Sequence, residues 1–209
     1  MSLAVQASLL DLADEARLRP LAGHVERTAL AHGAWVDHRP GWVAGSDAVL
    51  DVLLERMPWR SERRRMYDRV VDVPRLVCWY ADPDRLPHPV LVAARAALSA
   101  HYRPELGEPF TTAGCCLYRD GRDSVAWHGD TIGRGSSHDT LVAIVSFGAP
   151  RPLLLRPRTG GPSRSFHLGH GDLLVMGGSC QRTWEHAVPK SARPVGPRVS
   201  IQFRPAGVA

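Results

Sequence analysis

From residue 110 onward the apolar positions come in short runs separated by Gly, Pro and charged turns: TAGCCLY, SVAWHGD, TLVAIVSFG, RPLLLRP, RSFHL, DLLVMG, TWEHAV and PRVSIQF. Eight strands at this spacing predict an all-β sandwich or jelly roll. Before residue 110 the period differs. Val49, Leu50, Leu53, Leu54 and Met57 form one stripe, predicting a helix capped by Ser46 and running to about Met57. Leu91, Ala94 and Leu98 mark the inward side of a second helix over 88–102. AWVDH, 34–38, reads as a short strand before the Pro40-Gly41 turn, and the segment ahead of it mixes helix and loop signals. No linker, repeat or low-complexity tract interrupts the pattern. The expectation is one mainly β (α+β) domain over residues 1–209, with a β core from about residue 110 braced by helices of the N-terminal half.

Composition changes this picture little. At 209 residues with 44% hydrophobic and 22% charged content, the chain is long enough to bury a core without disulfides. No apolar run is long enough for a membrane span, and the N-terminus carries acids where a signal peptide needs bases, so the expected location is cytoplasmic, with no membrane partner. Cys78, Cys115, Cys116 and Cys180 form no CxxC pair and read as buried free thiols. A net charge of +5 and a pI near 9.4 would suit a polyanion. Lys190 is the only lysine, however, and asparagine is absent; this looks like coding bias, which makes the arginine count a weak argument for nucleic acid.

The tripeptide His-Gly-Asp occurs twice, at 128–130 and 170–172. Strand alternation in SVAWHGD puts Ser124, Ala126, His128 and Asp130 on one face and Val125 and Trp127 on the other. Small residues beside the His and Asp leave space there for a metal; two such ligands and a distant histidine would make a facial triad with open positions. The second copy has its histidine between Gly169 and Gly171, and LLVM follows Asp172, so it reads as a glycine turn feeding a buried strand. Asp172 is expected to tie down that turn and His170 to meet solvent. His186 follows His170 by little more than one hairpin, but it follows His128 by enough chain for several strands to intervene before the ligands converge. His138 is a rival third ligand in a Gly/Ser loop.

In RVSIQFR, Arg198, Ser200, Gln202 and Arg204 share one strand face. Two arginines six residues apart lie about 20 Å apart at the backbone, and leaning side chains could grip the two ends of a small dicarboxylate. A solvated strand face is the alternative.

HxD, a distant His and RxxxxxR twelve residues on, with PRLVCWY at 74–80, CLYRDGRDSVAWHGD at 116–130, VSFGAPR at 145–151 and GDLLVMGG…TWEHAVPK…GPRVSIQFR at 171–204, resemble the AlkB-like iron(II)/2-oxoglutarate-dependent dioxygenases. The resemblance covers roughly residues 60–205, leaving 1–59 as an N-terminal extension and helix. It implies a double-stranded β-helix (jelly roll) holding Fe(II) by His128, Asp130 and His186. It also implies Arg198 on the distal carboxylate of 2-oxoglutarate, Arg204 near the other end, and Tyr118 and Ser200 as hydrogen-bonding partners of that cosubstrate. The implied reaction consumes O2 and 2-oxoglutarate, yields succinate, and hydroxylates an N-alkyl group that then leaves as an aldehyde. Alkylated DNA or RNA bases are the implied substrates, flipped from the stack. Tyr67, Trp79, Tyr80 and Trp127 are the aromatic candidates for stacking, with Trp127 expected to face away from the metal. Arg60, Arg63, Arg64, Arg65 and Arg69 are candidate phosphate contacts or a solvated helix or loop face.

The chain departs from the family pattern at several points. Thr131 and Ile132 stand where family repair enzymes carry acidic residues that read the damaged base, with Thr131 retained as a candidate substrate contact. Cys116 and Ser200 replace asparagines, and no tyrosine-rich lid follows Trp79-Tyr80. Three readings follow: base dealkylation, the same chemistry on a protein side chain or small molecule, and a non-enzymatic module binding 2-oxoglutarate or nucleic acid.

Overall fold

The computed structural model describes residues 15–66 and 69–208, with the side chains of 64–66 and 69–72 also left undescribed. Strands β1 (Arg17–Leu18), β2 (Glu26–Ala29), β3 (Ala34–Arg39) and β4 (Val43–Ala44) lead into helix α1 (Ser46–Arg56). Strands β5 (Arg60–Met66) and β6 (Arg69–Tyr80) come before helices α2 (Pro89–His101) and α3 (Arg103–Leu106). Then follow β7 (Phe110–Tyr118), β8 (Val125–His128), β9 (Val142–Gly148), β10 (Arg151–Pro157), β11 (Arg164–Leu168) and β12 (Asp172–Gly178). A short helix α4 (Cys180–Thr183) precedes β13 (Trp184–Val188) and β14 (Arg198–Pro205).

The eight strands expected after residue 110 all form, and they divide evenly between two sheets. β7, β9, β12 and β14 lie in an eight-stranded sheet of order β2-β3-β12-β9-β14-β7-β6-β5, and β8, β10, β11 and β13 make the second, of order β11-β10-β13-β8. The pairings within both sheets are antiparallel. The chain passes back and forth between the two sheets, except at the β10–β11 hairpin, and so makes the jelly roll.

The centre of the large sheet is buried on both faces, which is why β9 and β12 read as nearly continuous apolar runs. Val142, Ile144, Leu174 and Met176 point between the sheets with Leu153, Leu155 and Trp184. Ala143, Val145, Phe147, Val199, Ile201 and Phe203 point outward, against Val49 and Leu53 of α1 and Leu91 and Leu98 of α2. The helices therefore brace the sheet as expected.

Local details differ. Gly45 (φ 65°) holds the N-cap position of α1, and Ser46 is already inside the helix, its hydroxyl donating to Val43 O at 2.7 Å instead of capping. The cap of α2 is His88, whose Nδ1 accepts from Val90 N at 3.2 Å. The arginine-rich segment from residue 60, read as helix or loop, is the edge strand β5 paired to β6. An edge strand facing water needs no apolar alternation and is protected by charge, so its sequence carries no strand signal. The N-terminal segment likewise contributes strands β1 and β2, and the part of it before Glu15 lies outside the described residues. Among the described residues no helix is long and apolar enough to cross a membrane.

Candidate metal and anion site

β8 and β13 are paired so that His128 faces His186, but the next pair is Val125 with Val188, one residue more on β8 than on β13. This bulge turns both Val125 and His128 into the space between the sheets. Strict alternation places Val125 opposite His128; the extra residue corrects that and leaves Ala126 exposed. Trp127 does face away, with the Arg156 guanidinium 4.3 Å from its ring centroid.

His128, Asp130 and His186 bring one ligand atom each to within 4.8 Å of one another, and their imidazole centroids are 4.2 Å apart. Each ligand atom on the HxD segment is oriented by a second bond. His128 Nδ1 is 2.9 Å from Ala126 O, a carbonyl that can only accept, so the proton sits on Nδ1 and the Nε2 lone pair is free. Asp130 Oδ2 accepts from Arg204 Nε and Nη2, both at 2.9 Å, and its backbone N–H donates to Gln181 Oε1 at 3.0 Å. Oδ1 is left 3.9 Å from His128 Nε2.

Burial favours the neutral Asp130 acid, but its charged neighbours, the Arg204 guanidinium foremost, outweigh it and hold the carboxyl below its ordinary range. Burial, aided by His128, pushes His186 down to about 3. The set thus presents two imidazoles and a carboxylate, the donor types of a facial-triad metal site. Gly129 is required by proximity: a Cβ there would lie 2.5 Å from Arg158 Nη2 and 2.7 Å from Gln181 O.

A cavity of about 80 Å³ runs from this triad between the sheets, and Arg198, Ser200, Gln202 and Arg204 all line it. At its far end Arg198 is 2% exposed, and its Nε donates to Ser146 Oγ at 2.8 Å. Its Nη1 is buried with no partner. Tyr118 lies opposite Arg198 in the ladder, its ring centroid 5.3 Å from that guanidinium, and burial keeps its hydroxyl protonated well above the usual range. An unpartnered buried N–H on a charged group, beside a protonated phenol, is suited to an anion with two acceptor oxygens. Ser200 faces Cys116 across the ladder and bonds to the Gln202 amide.

Sequence reading passes over Arg75, Gln181 and Gln202 as individual site residues. Arg75 lines the cavity with a buried, unpartnered Nε. Gln202 shares the face already read from RVSIQFR, a signal present in the sequence. Gln181 stands far along the chain from Asp130, and nothing in its local pattern announces the contact.

Outside the cavity a groove is lined by Trp79, Ile132, Arg60, Glu62, Cys116 and Arg204. Trp79 (49% exposed) and Ile132 (70%) are the exposed large hydrophobics among the described residues. Thr131 instead turns its backbone N–H and hydroxyl to Gly129 O, at 2.8 and 3.4 Å, and Ile132 takes the groove position. Tyr80 packs on the helix-side core and does not line this groove, although it borders a separate surface hollow with Trp79, Asp82 and Arg85. Tyr67, Arg64, Arg65 and Arg69 lie outside the described side chains, while Arg60 and Arg63 are exposed. His138 is exposed and bonded to Ser137, apart from the triad.

The second His-Gly-Asp copy is built differently. Asp172 accepts from Gly41 N and Gly169 N, both at 2.7 Å, tying the turn as expected. His170 is not simply solvated: its Nδ1 accepts from Gly148 N at 2.7 Å, and Nε2 lies 3.2 Å from Asp47.

Residues 44–204 match the family described as the 2OG-Fe(II) oxygenase superfamily. Alpha-ketoglutarate-dependent dioxygenase alkB homolog 3 of Homo sapiens is 32% identical over 190 residues, covering 79% of this chain and 64% of its own length. DNA oxidative demethylase ALKBH2 of Arabidopsis thaliana is 29% identical over 189 residues, covering 74% and 60%. The chain thus spans less than two thirds of the length of these relatives. Among solved structures, a 2OG-Fe(II) oxygenase family oxidoreductase from Burkholderia pseudomallei aligns with a TM-score of 0.54 at 16% identity, covering 81% of this chain and 84% of its own. A prolyl hydroxylase from Trichoplax adhaerens aligns at 0.59 and 11%, covering 83% and 84%; these two likenesses establish a shared fold. With the His/Asp/His cluster and the anion pocket in one cavity, the chain belongs to the 2OG-Fe(II) oxygenase superfamily and is similar in sequence to AlkB homologues.

Proposed function

We propose that the protein oxidatively removes N-alkyl groups from nucleic-acid bases. The observation that carries this reading is one cavity with the His128–Asp130–His186 cluster at one end and the unpartnered Nη1 of Arg198 at the other. In this reading the three residues hold iron(II). Arg198 and the Tyr118 hydroxyl take the distal carboxylate of 2-oxoglutarate, Arg204 keeps Asp130 ionised and faces the other end, and Ser200 lines the path between. When bound, iron and 2-oxoglutarate supply the means of activating O2 for insertion into a C–H bond. The protein's residues fix ligand protonation, orient the dicarboxylate and keep water out of the space between the sheets.

The substrate assignment draws on the name of a relative, a DNA oxidative demethylase, and on Trp79, a half-exposed ring beside the cavity mouth. Stacking on such a ring is how single bases are commonly held. Ile132 favours a second reading: an apolar side chain at the groove offers no acceptor to a base amine, and the same chemistry could then serve a protein side chain or small molecule.

Anaerobic titration with iron(II) and 2-oxoglutarate tests the chemistry, because the bound pair gives a visible metal-to-ligand charge-transfer band. Absence of that band sinks the dioxygenase reading. Succinate release stimulated by N-methylated oligonucleotide, and not by unmodified oligonucleotide, supports base dealkylation; stimulation by neither favours the second reading. Cosubstrate binding without decarboxylation under any substrate would indicate a binding module.

A further inference from the structure

Arg151 opens β10 and is 1% exposed, yet its hydrogen bonds go to backbone and not to a carboxylate. Nη1 donates to Asp120 O at 3.1 Å, and Nη2 donates to both Asp123 O (2.9 Å) and Pro189 O (2.6 Å). Nε has no partner. A guanidinium in this condition is costly to bury, so something must be gained from the charge.

Three observations locate the gain. Asp123 and Pro189 stand just outside the paired strands β8 and β13, so one nitrogen clasps the ends of both strands that carry the histidines. The Arg151 guanidinium lies 5.7 Å from the Tyr118 ring centroid, and the Arg198 guanidinium lies 5.3 Å from the same centroid. The nearby Asp123 carboxylate is already engaged, accepting from Arg119 Nε and Nη2 at 2.8 Å each. Tyr118 is therefore shared by two buried cations, only one of which reaches the cavity.

We propose that Arg151 is a positioning residue for the anion end of the cavity: it fixes the Tyr118 ring and adds a second positive charge behind it, favouring a cosubstrate with a carboxylate at that end. This rests on the 2-oxoglutarate reading above. Arg151 touches neither metal nor cosubstrate, so its removal should weaken 2-oxoglutarate binding while leaving the metal ligands competent.

The test compares wild type with Arg151→Met, which keeps much of the apolar stem and removes the charge. The dissociation constant of 2-oxoglutarate is read from the charge-transfer band in anaerobic iron(II), and that of cobalt(II) alone from its absorption spectrum. The expected result is cosubstrate binding weakened about tenfold, with cobalt(II) affinity changed by less than about twofold. Unchanged cosubstrate affinity overturns the inference, and so does a parallel loss of both affinities, which would mark Arg151 as only a structural clasp. If Arg151→Met does not fold, Arg151→Lys decides. It keeps the charge but loses the planar fork, and cosubstrate binding about threefold weaker is expected, with no change overturning the proposal. A wild type without any band overturns the function and this inference together; a wild-type band with unaltered variants overturns this inference alone.

Discussion

Two copies of His-Gly-Asp in one chain make different structures. In the first, His128 and Asp130 turn their free ligand atoms toward His186, while their remaining polar atoms are held by Ala126 O, Arg204 and Gln181. In the second, the same atom types are consumed locally: both Asp172 oxygens accept backbone N–H groups, and His170 Nδ1 accepts another. The glycines differ as well. Gly129 leaves space for Arg158, whereas Gly171 adopts φ 77° in a turn pressed against Val43 O. A ligand is thus a donor atom whose lone pair the fold has left unspent, and the tripeptide alone does not reveal that.

Substitution can break this contrast. The largest effect is expected from His128→Ala, which should abolish the iron(II)/2-oxoglutarate band, since two remaining ligands no longer form a facial set. Next, Arg204→Met removes both bonds to Asp130 Oδ2 and should weaken metal binding by roughly 10–100-fold, measured with cobalt(II). At the second copy the effect should move from chemistry to stability. Asp172→Ala strips acceptors from Gly41 N and Gly169 N and should cost about 1–3 kcal/mol in denaturant unfolding, with metal affinity intact. The smallest change is expected from His170→Ala, which loses one partly buried acceptor: about 1 kcal/mol of stability and a wild-type band. Loss of the band in His170→Ala would end the distinction between the copies.

Much of the fold was legible because burial on two faces leaves a record. β9 apart from Ser146 and β12 after Asp172 are apolar, β14 alternates, and each pattern reports what lies on its faces. The β5 edge strand left no such record, since its residues answer to solvent. Of the candidate site, the residue types and their order were readable, and the structure brings His128, Asp130, His186, Arg198 and Arg204 to one cavity. The bulge that re-aims Val125 was not readable, because one extra residue in a ladder depends on the partner strand. Neither was the exchange between Thr131 and Ile132 at the groove, which turns on a hydrogen bond from Thr131 back to Gly129.

The free Nη1 of Arg198 also bears on how the protein survives in solution. A buried guanidinium with one nitrogen left unpaired lowers the stability of the unliganded fold, and an anion that satisfies it stabilises the folded chain to the extent that it does not bind the unfolded one. Cosubstrate concentration and resistance to unfolding are therefore linked: at 100 times its dissociation constant, such a ligand adds about 2.7 kcal/mol to the folded state. If the proposed function holds, depletion of the dicarboxylate would then reduce the amount of folded protein.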